Sequence, residues 1–196
     1  MKKIAIALPA LLPLLAWGHT GADAGIHHGP ALVQGFVHPF VGLDHLAAML
    51  AVGIWSVRSF REQGRGMWFV PAAFVTLLLC GGLLGMLGMS LPFVEPMIAA
   101  SVLVFGLLIA NSATLRLPLS LGMAIVGGFA LFHGLAHGAE LPATGAAAAL
   151  AGMLAGTLLL HMTGMLLGHF VLTRHRWLPR IAGLAVAAFG LSLLTA

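Results

Sequence analysis

Charged residues are scarce in this 196-residue sequence. Only 7% of its residues are charged, whereas 60% are hydrophobic, and a soluble globular domain carries about 25% charged residues. Nine basic and five acidic side chains are too few to cover a globule of 20.3 kDa with groups that face water. The composition therefore excludes a water-soluble monomer, and most of the outer surface must face lipid.

Other absences exclude further kinds of site. A single cysteine, Cys80, rules out a disulfide framework and multi-cysteine zinc or iron–sulfur sites. The sequence has no Walker-type Gly-x4-Gly-Lys-Ser/Thr motif for nucleotides. It also has no His-Glu-x-x-His motif and no Ser or Cys nucleophile beside a base, so we do not expect an enzyme. Nucleic-acid binding is not predicted either, because the basic residues lie at segment ends rather than in one patch.

The N-terminus has the pattern of a secretory signal peptide. Lys2 and Lys3 precede an apolar stretch over residues 4–15, and Ala16-Trp17-Gly18 supplies small residues suited to signal peptidase. We predict a signal peptide over residues 1–18. Cleavage after Ala24 and an uncleaved first helix are the alternatives.

The rest of the chain predicts an all-α integral membrane protein with six transmembrane helices in one compact bundle over residues 32–196. Each apolar segment is close to the ~20 residues needed to cross a bilayer. The predicted spans are Leu32–Val57, Met67–Ser90, Val94–Thr114, Leu117–His137, Ala146–Leu172 and Trp177–Ala196. Small residues at helical spacing let helix backbones approach closely in lipid. The glycines assigned to such packing are Gly81, Gly85, Gly88, Gly152, Gly156, Gly164 and Gly168.

The arginines give the orientation of these spans. All seven follow spans 1, 3 and 5, and the loops after spans 2 and 4 contain no Lys or Arg. The positive-inside rule places the arginine-bearing loops in the cytoplasm, so both termini of the mature chain are predicted to lie outside. The residues are Arg58, Arg61, Arg65, Arg116, Arg174, Arg176 and Arg180.

Histidine is the residue type in excess, with ten in the chain, and an imidazole is costly to place in hydrocarbon without a partner. His133, His137 and Glu140 are spaced by four and three residues, so they share one helical face. Two imidazoles and a carboxylate suit a first-row divalent cation such as nickel, cobalt, zinc or copper. The alternative is a pair of histidines that hydrogen-bond between helices.

A second group lies on the first predicted span. His38 and His45 are seven residues apart and share a face, with Pro39 between them. If the helix unwinds at His38-Pro39, as transport helices do at their binding sites, Asp44 can turn to the same centre as a ligand. Otherwise Asp44 orients a histidine ring through its other nitrogen.

The remaining histidines extend this set across the membrane. His161 is predicted at about the depth of His45, and His169 lies nearer the cytoplasm, so the ligands form a ladder. Outside it, His19, His27 and His28 lie in the short N-terminal segment 19–31. There they either capture metal or are simply solvated.

Two stretches carry a family resemblance. Residues 38–45, HPFVGLDH, resemble the first-helix signature of the HupE/UreJ family of bacterial nickel permeases, and residues 132–140, FHGLAHGAE, resemble its second signature. The likeness covers the whole chain. By resemblance, the metal role falls to His38, Asp44, His45, His133, His137 and Glu140.

The resemblance implies a permease in the bacterial inner membrane, with periplasmic termini, that imports a divalent metal for hydrogenase or urease maturation. Nickel is the expected ion and cobalt the alternative. The ion is cargo, so no permanently bound cofactor is expected. The expected partners are membrane lipid and the transported ion, with a homo-oligomer left open. Two other functions also stay open: a membrane-embedded metalloenzyme, and an accessory subunit that passes metal within a larger importer.

Overall fold

The computed structural model describes residues 30–141 and 144–195, and every regular element in these ranges is helical. The helices are α1 (Ala31–Val41), α2 (Leu43–Phe60), α3 (Gly66–Met86), α4 (Val94–Ala110), α5 (Leu119–Glu140), α6 (Ala146–Leu166) and α7 (Leu178–Thr195). A 3-10 turn, Arg61–Gln63, follows α2, and a π turn, Leu167–Val171, follows α6. The predicted signal peptide over residues 1–18 and the histidines His19, His27 and His28 lie outside the described residues.

The helices are those of a multi-pass membrane protein. α3, α5, α7 and the continuous segment Ala146–Val171 are long and apolar enough to cross a membrane. Helices α1 and α2 are long and apolar enough to cross a membrane only when they are taken together as one bent segment. Helix α4 is apolar but has only 17 residues, fewer than each of the candidate spans. Residues 30–141 and 144–195 thus contain four candidate spans, or five if the bent pair is one span, and they do not confirm all six predicted spans.

The first predicted span, Leu32–Val57, is not one helix. The chain bends by 82° between α1 and the segment that begins at Leu43. The break lies at Gly42, which is extended (φ −80°, ψ 117°), whereas Pro39 stays inside α1. The unwinding at His38-Pro39 that was considered for Asp44 therefore does not occur, and the break lies three residues beyond Pro39. One extended residue redirects the chain, and the Gly42 carbonyl then accepts a hydrogen bond from the Leu46 N–H as α2 begins.

Glycines set the close approach of three groups of helices: α3 with α5, α4 with α7, and α6 with α1 and α2. A Cβ added at Gly81 would lie 2.3 Å from the Leu131 carbonyl oxygen, and one at Gly152 would lie 2.0 Å from that of Leu32. The packing role predicted for the span 2 and span 5 glycines is thus confirmed, with one exception. Gly88 has φ +82° and an added Cβ would meet nothing within 4 Å, so it helps to end α3 instead.

Candidate metal site

Four imidazole rings meet where α1, α2 and α5 come together. The ring centroids of His38 and His137 are 4.6 Å apart, those of His137 and His45 are 4.4 Å apart, and those of His45 and His133 are 5.0 Å apart. His45, His133 and His137 are at most 2% exposed. We call these four residues the histidine cluster. The structure therefore brings the two sequence motifs to one place, across the 82° bend.

The cluster opens to the surface beside Glu140. His38 Nε2 lies 3.3 Å from Glu140 Oε2, and the two side chains are 26% and 32% exposed. Ligand atoms of His38, His137 and Glu140 all lie within 4.8 Å of one another. Atoms that share one ion at ~2.0–2.2 Å are at most about 4.4 Å apart. A small side-chain rotation is therefore enough for these three groups to hold one divalent cation.

Asp44 contacts the cluster through His45. Its Oδ1 lies 2.8 Å from His45 Nδ1 and accepts a hydrogen bond, also of 2.8 Å, from the His45 backbone N–H. A carboxylate on Nδ1 fixes the tautomer in which Nε2 carries the lone pair, which is how proteins commonly orient metal-binding imidazoles. This contact corresponds to the second role considered for Asp44, the orientation of a ring.

His133 and His161 share one arrangement of ring nitrogens. Nδ1 of His133 lies 3.0 Å from the Phe129 carbonyl oxygen, and Nδ1 of His161 lies 2.8 Å from that of Met49. An Nδ1–H that donates to a carbonyl leaves the lone pair on Nε2. Both Nε2 atoms are buried without a hydrogen-bond partner among residues 30–141 and 144–195. A buried polar atom left in this state costs about 1–3 kcal/mol, a cost that a metal ligand role would explain.

Phe74 of α3 contacts both His133 of the histidine cluster and His161 of α6. Its ring centroid lies 5.6 Å from that of His133 and 4.9 Å from that of His161, and its side chain is fully buried. His169 lies eight residues beyond His161, about 12 Å along the helix at 1.5 Å per residue, in the π turn where its ring meets Phe170. The predicted ladder therefore runs from Glu140 through the cluster to His161, with Phe74 in contact with the last two histidine rings, and His169 lies further away.

Sequence reasoning missed two residues here, Phe74 and Thr157. Phe74 is one of eleven phenylalanines and lies on an apolar helix, so its sequence gives no signal. Thr157 is fully buried, and its Oγ1 lacks a hydrogen-bond partner among the residues that the structure describes. It precedes His161 by four residues and so shares its helical face, a spacing that could have identified it.

The charges are separated along the bundle. In α2, Asp44 lies in the first turn and Arg58 in the last. In the other direction, Arg116 precedes α5 and Glu140 ends it. Asp44 and Glu140 thus lie beside the histidine cluster, whereas Arg58 and Arg116 lie at the far end with Glu62, an arrangement that attracts a cation to the histidine end.

Comparisons with known proteins add an independent finding. A family model described as HupE / UreJ protein matches residues 6–193 of the chain. The chain is also similar to a protein named Protein HupE from Rhizobium leguminosarum bv. viciae, at 41% identity over 196 residues, which covers 98% of this chain and 97% of the relative. No solved structure matches.

Proposed function

We propose that this chain, which belongs to the HupE/UreJ family, is a permease that imports a divalent transition-metal ion across the bacterial inner membrane. Family membership confirms the resemblance drawn from the two histidine motifs. The observation that carries the transport proposal is the buried series of imidazoles. Burying ionisable side chains inside a membrane protein costs free energy. A series of neighbouring imidazoles is suited to passing a cation from one ring to the next.

The donor set favours a first-row divalent ion. Neutral imidazole nitrogens and a few carboxylates suit nickel, cobalt, zinc and copper rather than magnesium or calcium. We propose nickel as the cargo and cobalt as the alternative, in support of hydrogenase or urease maturation. Zinc and copper are competing ions. Imidazole ligands bind copper at least as tightly as nickel, so discrimination must come from coordination geometry and from the availability of each metal.

In the proposed route, the ion enters between Glu140, His38 and His137, where the site is partly exposed. It passes to His45, oriented by Asp44, and then to His133. Adjacent ring centroids in this series are 4.4–5.0 Å apart, so one ion can contact two neighbouring imidazoles as it moves. It then crosses beside Phe74 to His161.

The same proposal includes the topology. Residues 1–18 are removed as a signal peptide, residues 19–31 begin the mature chain in the periplasm, and six spans follow, with α1 and α2 as one broken span and α4 as another. The arginine end of the bundle faces the cytoplasm, in line with the positive-inside rule, and the histidine end faces the periplasm.

Uptake into proteoliposomes that contain only this chain tests the transport function. We expect nickel to accumulate with the wild-type protein, and His45→Ala and His133→Ala to abolish accumulation while the protein remains folded. His175→Ala is the matched control, because His175 is exposed and stacks on Trp177 away from the cluster. Wild-type rates in both cluster variants would refute the route.

The same measurement separates the alternatives. If this chain alone moves no metal but does so with partner proteins, it is an accessory subunit of a larger importer. If it binds one metal ion stoichiometrically and never releases it across the bilayer, the metalloenzyme interpretation is favoured. Competition among nickel, cobalt and zinc in the same vesicles identifies the preferred cargo.

A further inference from the structure

A cleft lies at the end of the bundle opposite the histidine cluster. Its volume is about 530 Å³, and its lining includes Arg58, Arg61, Glu62, Ser112, Arg116 and Thr173. These residues come from the end of α2, the 3-10 turn, the connection between α4 and α5, and the segment after the π turn of α6. We call it the arginine cleft. Arg58 is 13 residues along α2 from His45, which places the cleft about 20 Å from the cluster at 1.5 Å per residue.

The lining of the arginine cleft is positively charged. Three arginines, Arg58, Arg61 and Arg116, line it together with one acidic residue, Glu62. The Glu62 carboxylate lies 4.0 Å from an Arg116 nitrogen, and these side chains are 87% and 65% exposed, so this pair is loose and balances only one arginine. A metal cation is repelled by such a lining, which separates the cleft chemically from the histidine cluster.

Buried polar atoms in the lining point to a bound ligand. Ser112 is only 3% exposed, and its Oγ has no hydrogen-bond partner in the described part of the chain. Arg58 Nε and Ser59 Oγ are also buried without a hydrogen-bond partner in the described part of the chain. Both residues line the cleft. Arg Nε is a donor only, and each hydroxyl has a proton to donate. These groups therefore call for a ligand with several acceptor oxygens.

We infer that the arginine cleft is a binding site for a phosphate-type oxyanion. Planar guanidinium groups match the geometry of phosphate oxygens, and hydrogen bonds between the two are charge-assisted. The phosphate can be that of an anionic lipid headgroup, since the proposed topology puts this basic site at the cytoplasmic border, where such sites attract anionic lipids, or it can be free phosphate from solution. A π turn beside the cleft is consistent with a binding role, because such turns are frequent at functional sites.

Thermal unfolding of the full-length chain in maltoside detergent tests this inference. One arm adds sodium phosphate against sodium chloride at equal ionic strength. The other adds phosphatidylglycerol against diacylglycerol, which lacks phosphate. We expect Arg58→Gln and Ser112→Ala to weaken the apparent affinity for the effective ligand, by about tenfold for the arginine variant. Arg180→Gln, an exposed arginine of α7 outside the cleft, should leave it unchanged.

Each outcome decides the inference. A rise in Tm with inorganic phosphate identifies a free anion as a ligand, and a rise with phosphatidylglycerol alone identifies the lipid headgroup. If neither raises the Tm, or if both cleft variants respond as Arg180→Gln does, the inference is wrong. Should Arg58→Gln fail to fold, Ser112→Ala removes one buried hydroxyl and decides alone. The readout involves no metal, so it stands independently of the transport proposal.

Discussion

At the scale of single residues, three of the buried histidines share the ring nitrogen that is hydrogen-bonded. Carbonyl oxygens contact Nδ1 of His133 and His161, and a carboxylate contacts Nδ1 of His45. Three helices thus present histidines in the same tautomer, with the lone pair on Nε2. A histidine kept only for helix packing does not need this shared arrangement. It is the arrangement in which proteins commonly hold metal-binding imidazoles.

The carboxylate of Asp44 gives the first prediction. Asp44→Asn keeps the side-chain shape but removes the negative charge that orients and polarises the His45 ring. Loss of such a supporting carboxylate usually lowers metal affinity by about 10–100-fold. We expect a nickel titration of the purified protein to show a loss of that size with an unchanged Tm. Glu95→Gln, an exposed acidic residue of α4, is the control, and an affinity within twofold of wild type in Asp44→Asn would contradict the role.

Phe74 gives the second prediction. Its ring contacts those of His133 and His161 but offers no ligand atom, so we expect an ion that passes beside it to lack coordination and this step to limit the rate. Phe74→Leu replaces the ring with a smaller side chain and should raise the initial rate of nickel uptake into vesicles. Phe74→Trp introduces a larger ring and should lower that rate. Nickel affinity at the cluster should change little in either variant. Equal uptake rates in the two variants would show that Phe74 is only a packing residue.

At the scale of helices, glycine contacts hold the metal site in register. An added Cβ at Gly134 would lie 2.2 Å from the Leu78 carbonyl oxygen and 2.7 Å from the Gly82 nitrogen. Both are backbone atoms, so they can give way only if α3 and α5 move apart. Gly134 follows His133 directly, and any displacement of α5 moves His133 and His137 with it. The absence of a side chain at Gly134 therefore helps to position His133 and His137 in the site.

Gly134→Ala should consequently destabilise the protein by about 1–3 kcal/mol, the usual cost of overpacking a tight contact. Gly128→Ala is a matched control on the same helix, because an added Cβ there meets nothing within 4 Å and alanine favours helix over glycine. Thermal unfolding in detergent should show a lower Tm for the first variant and an equal or higher Tm for the second. Equal Tm values for the two variants would contradict the packing argument.

Most of the site that could be predicted from the sequence was predicted from the spacing of residues along helices. His133, His137 and Glu140 share a face because of their own spacing, and Gly81 and Gly85 pack because small residues recur along a lipid-soluble helix. The bend at Gly42 escaped prediction, since its dihedral angles are ordinary and Pro39 was the more visible signal. Phe74 escaped it because its role depends on which side chains lie on either side of it, and those come from α5 and α6.

At the scale of the whole molecule, the bundle has two chemically distinct ends. The histidine cluster lies at one end with Asp44 and Glu140, and the arginine cleft lies at the other. Whether α4 crosses the bilayer determines on which side of the membrane the later helices begin and end. Ser112, just beyond α4, lines the same cleft as Arg58 at the end of α2, and α3 begins close by at Gly66. α3 therefore leaves the arginine end and α4 returns to it, although α4 has only 17 residues.

This path predicts the sides of the membrane on which two exposed positions lie. Glu62 precedes α3 and Thr144 follows α5, so they lie on opposite sides if α4 crosses the bilayer and on the same side if it does not. In a Cys80→Ala background, we expect an impermeant thiol reagent added to intact cells to label Thr144→Cys, and to reach Glu62→Cys only after permeabilisation. Labelling of both positions from outside would remove α4 from the spans. Labelling of Glu62→Cys alone would invert the molecule and turn the histidine end, with its carboxylates, towards the cytoplasm.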